Sequence, residues 1–100
     1  MPALIVPDNG DVQGVIGGAP FTVTTSTTVK TGDAHLTGIW CTTGGTIGVW
    51  NGIGTGAGNT VVAPNFAVTA GFWYPMPFHL NAGCHIFVAG GTPHITVSVF

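Results

Sequence analysis

Nowhere in these 100 residues do apolar side chains recur at helical spacing; each hydrophobic run alternates with small polar residues and is cut short by Gly, Thr or Pro. Such a chain folds as strands or not at all. Turn residues recur at short intervals after Pro20, which predicts an all-β domain, a compact antiparallel β-sandwich or jelly roll of about eight short strands. The strands are read at 21–29, 35–42, 46–51, 59–63, 66–70, 73–80, 84–89 and 95–100. Gly44-Gly45 is read as a tight turn between two of them, a pairing that places Leu36 and Trp40 on the core face with Ile47 and Val49. Ile39, Cys41 and Trp50 then fall on the opposite face, where the Trp needs cover. Asn51-Gly52, with Gly54, Gly56 and Gly58, reads as a surface loop, and Pro75 and Pro77 exclude the 73–80 segment from a sheet centre because each removes a ladder donor.

The first twenty residues differ from the rest. Pro2, Pro7 and Pro20 bracket a Gly-rich segment carrying the apolar clusters Leu4-Ile5-Val6 and Val15-Ile16. This predicts an extended arm, 1–20, ahead of a β body, 21–100, with the clusters lying on the body's own sheet edge or on a neighbouring subunit.

Charge narrows the partners. Asp8, Asp11, Lys30 and Asp33 are the only Asp, Glu, Lys or Arg residues, whereas an ordinary domain devotes about a quarter of its residues to them. A surface so poor in charge and furnished with three Trp and six Phe is suited to lying against protein. One Lys, no Arg and a formal net charge of −2 leave no basic stripe for nucleic acid or an anionic membrane. No run of eighteen apolar residues is present, and the opening Met-Pro-Ala-Leu-Ile-Val-Pro-Asp lacks the basic leader of a secretory signal, so synthesis in a cytoplasm is expected. Cys41 and Cys84 are accordingly expected as reduced thiols.

Catalytic chemistry finds little to work with. The carboxylates Asp8, Asp11 and Asp33 all precede the main strands, and the first two lie in the arm, a poor place for a paired acid and base. The glycines after Asn51 lack the Lys and the following helix of a phosphate loop. Nothing near Cys41 or Cys84 marks either as an activated nucleophile. Asn81-Ala82-Gly83 reads as a hairpin loop that sets His79 opposite His85, but two imidazoles fall short of the four ligands of a structural zinc site, and Cys84 points to the other face. The chain is therefore expected to be no enzyme, with no cofactor and no metal.

Four stretches stand out from Thr46 onward: Thr46-Ile47-Gly48-Val49-Trp50-Asn51-Gly52, Ala70-Gly71, Leu80-Asn81-Ala82-Gly83-Cys84-His85-Ile86-Phe87-Val88 and Ile95-Thr96-Val97-Ser98-Val99, covering about half the chain. In these the chain resembles the small capsid decoration, or cement, proteins of tailed bacteriophages. The resemblance implies a β-sandwich or jelly roll, often trimeric, on the outer shell of a virion made in a host cytoplasm, with the major capsid protein and copies of itself as partners. The residues expected at such contacts are Leu4, Ile5, Val6, Val15, Ile16, Trp50, Phe72, Trp73 and Tyr74. The alternative is a carbohydrate-binding or adhesion module of a head fibre or tail, in which Trp50, Trp73 and Tyr74 stack on sugar rings.

Overall fold

The computed structural model describes residues 19–100. About three quarters of these lie in six strands, β1 (Ala19–Val23), β2 (Thr27–Thr31), β3 (Ala34–Asn51), β4 (Thr60–Val68), β5 (Trp73–Leu80) and β6 (Gly83–Val99), and no helix occurs among them. The all-β, antiparallel expectation is met. Every pairing is antiparallel and all belong to one sheet.

Two long strands form the spine. β3 and β6 pair from Leu36↔Val99 to Asn51↔Cys84. The free edge of β3 takes β5 along its first half and β4 along its second. The free edge of β6 takes β2 and then β1. Each half of the sheet is thus four strands wide, β5-β3-β6-β1 and β4-β3-β6-β2.

β3 cannot be straight. Its first residue, Ala34, faces Leu80, and its last, Asn51, faces Cys84. The chain from position 80 to 84 reaches at most about 14 Å, whereas eighteen extended residues span roughly 56 Å. The strand therefore turns back on itself, and Asn51 fastens the return: its Oδ1 accepts from the Ala82 N–H at 2.9 Å and its Nδ2 donates to Asn81 Oδ1 at 3.1 Å. The inner side chains of both halves gather in one core, with Leu36, Ile39, Cys41, Val97 and Val99 from one and Ile47, Val49, Cys84 and Ile86 from the other.

Six strands rather than eight result because two of the expected turns are bends inside strands. Gly44-Gly45 and Gly90-Gly91 face each other across the ladder, Gly45 opposite Gly91 and Thr46 opposite Gly90, with register shifts on either side. A Cβ at Gly45 would lie 2.8 Å from the ring of the fully buried Pro93, and one at Gly44 would lie 2.8 Å from the Val68 carbonyl. Close backbone approach, not a reversal of direction, is what these glycines serve. The segments at 59–63 and 66–70 likewise merge into β4, while 21–29 divides into β1 and β2.

A bulge overturns the expected facing of Trp40. The register shifts between Leu36 and Gly38 on both sides of β3, so Leu36 and Ile39, three apart, both point inward. Ile39 and Cys41 are buried in the core, and Trp40 between them stands on the outside. The expected 79–85 hairpin is also absent, because β3 lies between β5 and β6; His79 faces His35 instead, and His85 faces Trp50 and Thr28. Leu4, Ile5, Val6, Val15 and Ile16 of the arm lie outside the described residues, whereas Ala19 and Pro20 already belong to β1.

Candidate functional site

The most distinctive surface is the outer side of the β5-β3-β6-β1 half. Alternation sends Leu36, Ile39, Cys41, Val97 and Val99 inward, so their neighbours face out in rows across the strands. At one end Trp40 lies opposite Trp73 and Thr96. At the other, His35 lies opposite His79 and exchanges two backbone hydrogen bonds with Phe100.

The aromatic end is built with care. A Cβ on Gly38 would overlap the Trp73 indole, so only glycine there lets the ring lie flat across β3. Phe72, in the turn before β5, is fixed by its main chain: its carbonyl accepts from the Cys41 N–H at 3.0 Å and the Gly71 N–H donates to the Cys41 carbonyl at 2.8 Å. Phe72 is 57 % exposed, Trp73 49 %, Phe100 45 % and Trp40 43 %. β5 is an edge strand, paired only with β3, as its two prolines require.

The other expected contact residues divide differently. Tyr74 faces inward: its ring meets Phe66 edge-on, with centroids 6.1 Å apart, and its hydroxyl oxygen accepts from the Thr69 N–H at 2.8 Å. Trp50 is on the outer side of the other half, half-buried, between Val61 and His85. Trp40 and Phe100 were not singled out from sequence. Phe100 sits outward because Val99 is inward, a parity legible in the final strand; Trp40 depends on the bulge, which carries no clear sequence mark.

At the polar end, Asp33 precedes β3 and reaches both imidazoles. Its Oδ1 accepts from His79 Nε2 at 2.6 Å, and its Oδ2 lies 3.5 Å from His35 Nε2. The two rings stack in parallel, 4.3 Å between centroids and 1° between planes. The hydrogen bond from His79 draws the Asp33 carboxyl below the ordinary carboxylate range; the His79, His35 and Lys30 charges act the same way, against an opposing effect of desolvation.

His85 is placed otherwise. The Thr28 hydroxyl has one hydrogen and donates it to the Ile53 carbonyl at 2.9 Å, so at the 2.9 Å contact between Thr28 Oγ1 and His85 Nδ1 the imidazole must be the donor. Burial lowers the pKa of this histidine. Both cysteines are free, as expected, and both are buried. Burial raises both thiol pKa values, Cys84 to about 11, which keeps them protonated and opposes nucleophilic use.

Comparison with protein-family models, with curated proteins and with solved structures finds no match to this chain.

Proposed function

We propose that this chain is a virion structural protein, a capsid decoration or cement protein that binds an outer shell and copies of itself through the outer face of its β5-β3-β6-β1 half. The observation that carries the reading is that Trp40, Phe72, Trp73 and Phe100 are each 43 % exposed or more on this half, while Lys30 on β2 and Asp33 before β3 are the only Asp, Glu, Lys or Arg of the described residues. Half-exposed aromatic rings seated on a rigid sheet make good anchors, because little side-chain freedom remains to be lost on association. Covering the exposed half of one Trp removes about 120 Å² from water, worth roughly 3 kcal/mol. In the same proposal, the folded-back strand β3 makes the body a two-layer sandwich of jelly-roll kind. In this proposal the residues ahead of β1 serve as the arm that anchors it, and no catalytic step or cofactor is involved.

A second reading, a carbohydrate-binding or adhesion module, is favoured by one observation: Trp40 and Trp73 are directly opposed on neighbouring strands, a spacing suited to stacking on a sugar. The two readings part on what covers the rings. Electron microscopy of purified particles, with the oligomer mass measured by light scattering, tests the first. Trp40→Thr with Trp73→Thr is expected to weaken shell binding and self-association by at least tenfold while the circular dichroism of the body is retained. Wild-type shell binding in that variant refutes the contact face, and saturable binding to soluble glycans by the wild type, lost in the variant, supports the second reading instead.

A further inference from the structure

We propose that Asp33, His35 and His79 form a binding site for a divalent transition-metal ion of the zinc class, a cross-strand clamp that ties the turn before β3 to the edge strand β5. The inference is independent of the proposed role in a virion.

The backbone supplies the geometry. His35 and His79 are register partners on adjacent strands, which holds their Cβ atoms about 5 Å apart on one face. Asp33, two residues before His35, closes the third side. One ligand atom from each residue falls within a span of 4.8 Å. A tetrahedral site with ligand bonds of about 2.0–2.2 Å needs donor atoms about 3.3 Å from one another; His79 Nε2 lies 2.6 Å from Asp33 Oδ1 and His35 Nε2 3.5 Å from Oδ2, so small side-chain shifts bring one carboxylate oxygen to that spacing from both rings.

The donor set selects the ion. Two imidazoles and a carboxylate suit zinc, cobalt, nickel and copper, whereas magnesium and calcium prefer oxygen alone. Three protein ligands leave at least one position for water or for a donor from a bound partner. In the stacked arrangement the two Nε2 atoms lie in parallel planes, so binding requires the rings to tilt toward each other. Both side chains are more than half exposed, 54 % for His35 and 56 % for His79, and the terminal imidazole torsion is broad, which leaves room for the change. For His79 Nε2 to take the metal, the hydrogen it now gives to Asp33 must leave that nitrogen, which the Nδ1–H tautomer of the neutral imidazole allows. The charge of Lys30, which acts on Asp33, opposes binding of a cation there.

The test is zinc chloride titrated into the untagged full chain at neutral pH, followed by calorimetry and by the histidine ring resonances. One ion per chain is expected, with His35 and His79 resonances shifting together and the melting temperature rising by about 10–20 °C at a hundredfold excess over Kd. His35→Ala, His79→Ala and Asp33→Asn should each weaken binding at least tenfold, while His94→Ala, an exposed histidine elsewhere on the sheet, leaves it unchanged. The changed side chains are exposed, and circular dichroism with the zinc-free melting temperature verifies that each variant folds. Absence of binding at millimolar zinc overturns the site, as does unchanged affinity in the His35→Ala, His79→Ala double variant.

Discussion

Replacing Gly45 by Ala tests whether the paired glycines bend the long strands or turn the chain. A Cβ at this position would meet the Pro93 ring at three atoms, Cβ and Cδ at 2.8 Å and Cγ at 2.9 Å, all closer than nonbonded carbons tolerate. The ring cannot swing away: Pro93 is fully buried and cyclic, and it sits in the bend between Gly91 and Ile95 of β6. Relief must come from the backbone of β3 or β6. Overpacking of this kind costs about 1–3 kcal/mol, and the rigidity of both partners places Gly45→Ala near the upper end. For a domain of this size, with a total stability of roughly 5–15 kcal/mol, that lowers the melting temperature by about 10–20 °C. Urea denaturation at fixed protein concentration measures it, with Gly54→Ala as the control, since nothing lies within 4 Å of a Cβ there. Pairing Gly45→Ala with Pro93→Ala removes two of the three clashing atoms, Cγ and Cδ, and opens the ring that held the Cβ, so the double-mutant cycle should recover about 1 kcal/mol of coupling. A loss below about 0.5 kcal/mol for Gly45→Ala, or strict additivity with Pro93→Ala, would refute the bend.

Three further outcomes are expected. Burial lowers the pKa of His85 below its usual value of 6.5, so the unfolded chain binds the extra proton first and stability declines as pH falls from about 6.5 toward the folded pKa; His85→Gln should flatten that part of a pH series of urea midpoints, and an unchanged slope would count against it. Cys41 and Cys84 should resist iodoacetamide in the native protein and take two adducts per chain in denaturant, because burial keeps both thiols protonated; mass spectrometry reads the count, and rapid native labelling would contradict the burial. Asn51→Ala deletes both side-chain bonds that fasten the fold-back of β3 and should cost about 1–3 kcal/mol by urea titration, whereas a neutral effect would mean that the core alone holds the return.

Local chemistry in the sequence determined a good deal. Alternation without helical periodicity made the chain all-β. The prolines of the 73–80 segment made it an edge, because a missing N–H has the same consequence in any sheet. Phe72, just ahead of that segment, and Trp73, its first residue, stand exposed. Facing along the last strand, Ile95, Val97 and Val99 inward, followed from parity alone. What the sequence left open was long-range. A double glycine permits both a tight turn and a bent strand, and only the packing of Pro93 and Val68 against Gly45 and Gly44 selects the bend. One bulged residue reverses the facing up to the next register shift, which moved Trp40 out and Ile39 and Cys41 in, while Ile47 and Val49 past the later shifts kept the expected face. Most consequential was strand order. Two strands joined by a short link are usually neighbours, but here β3 folds back and inserts between β5 and β6, so His79 meets His35 across 44 residues of sequence instead of His85 across six. The Asp33, His35 and His79 cluster exists because of that insertion, and strand order is decided by which faces bury together in the core, a property that no local window of sequence contains.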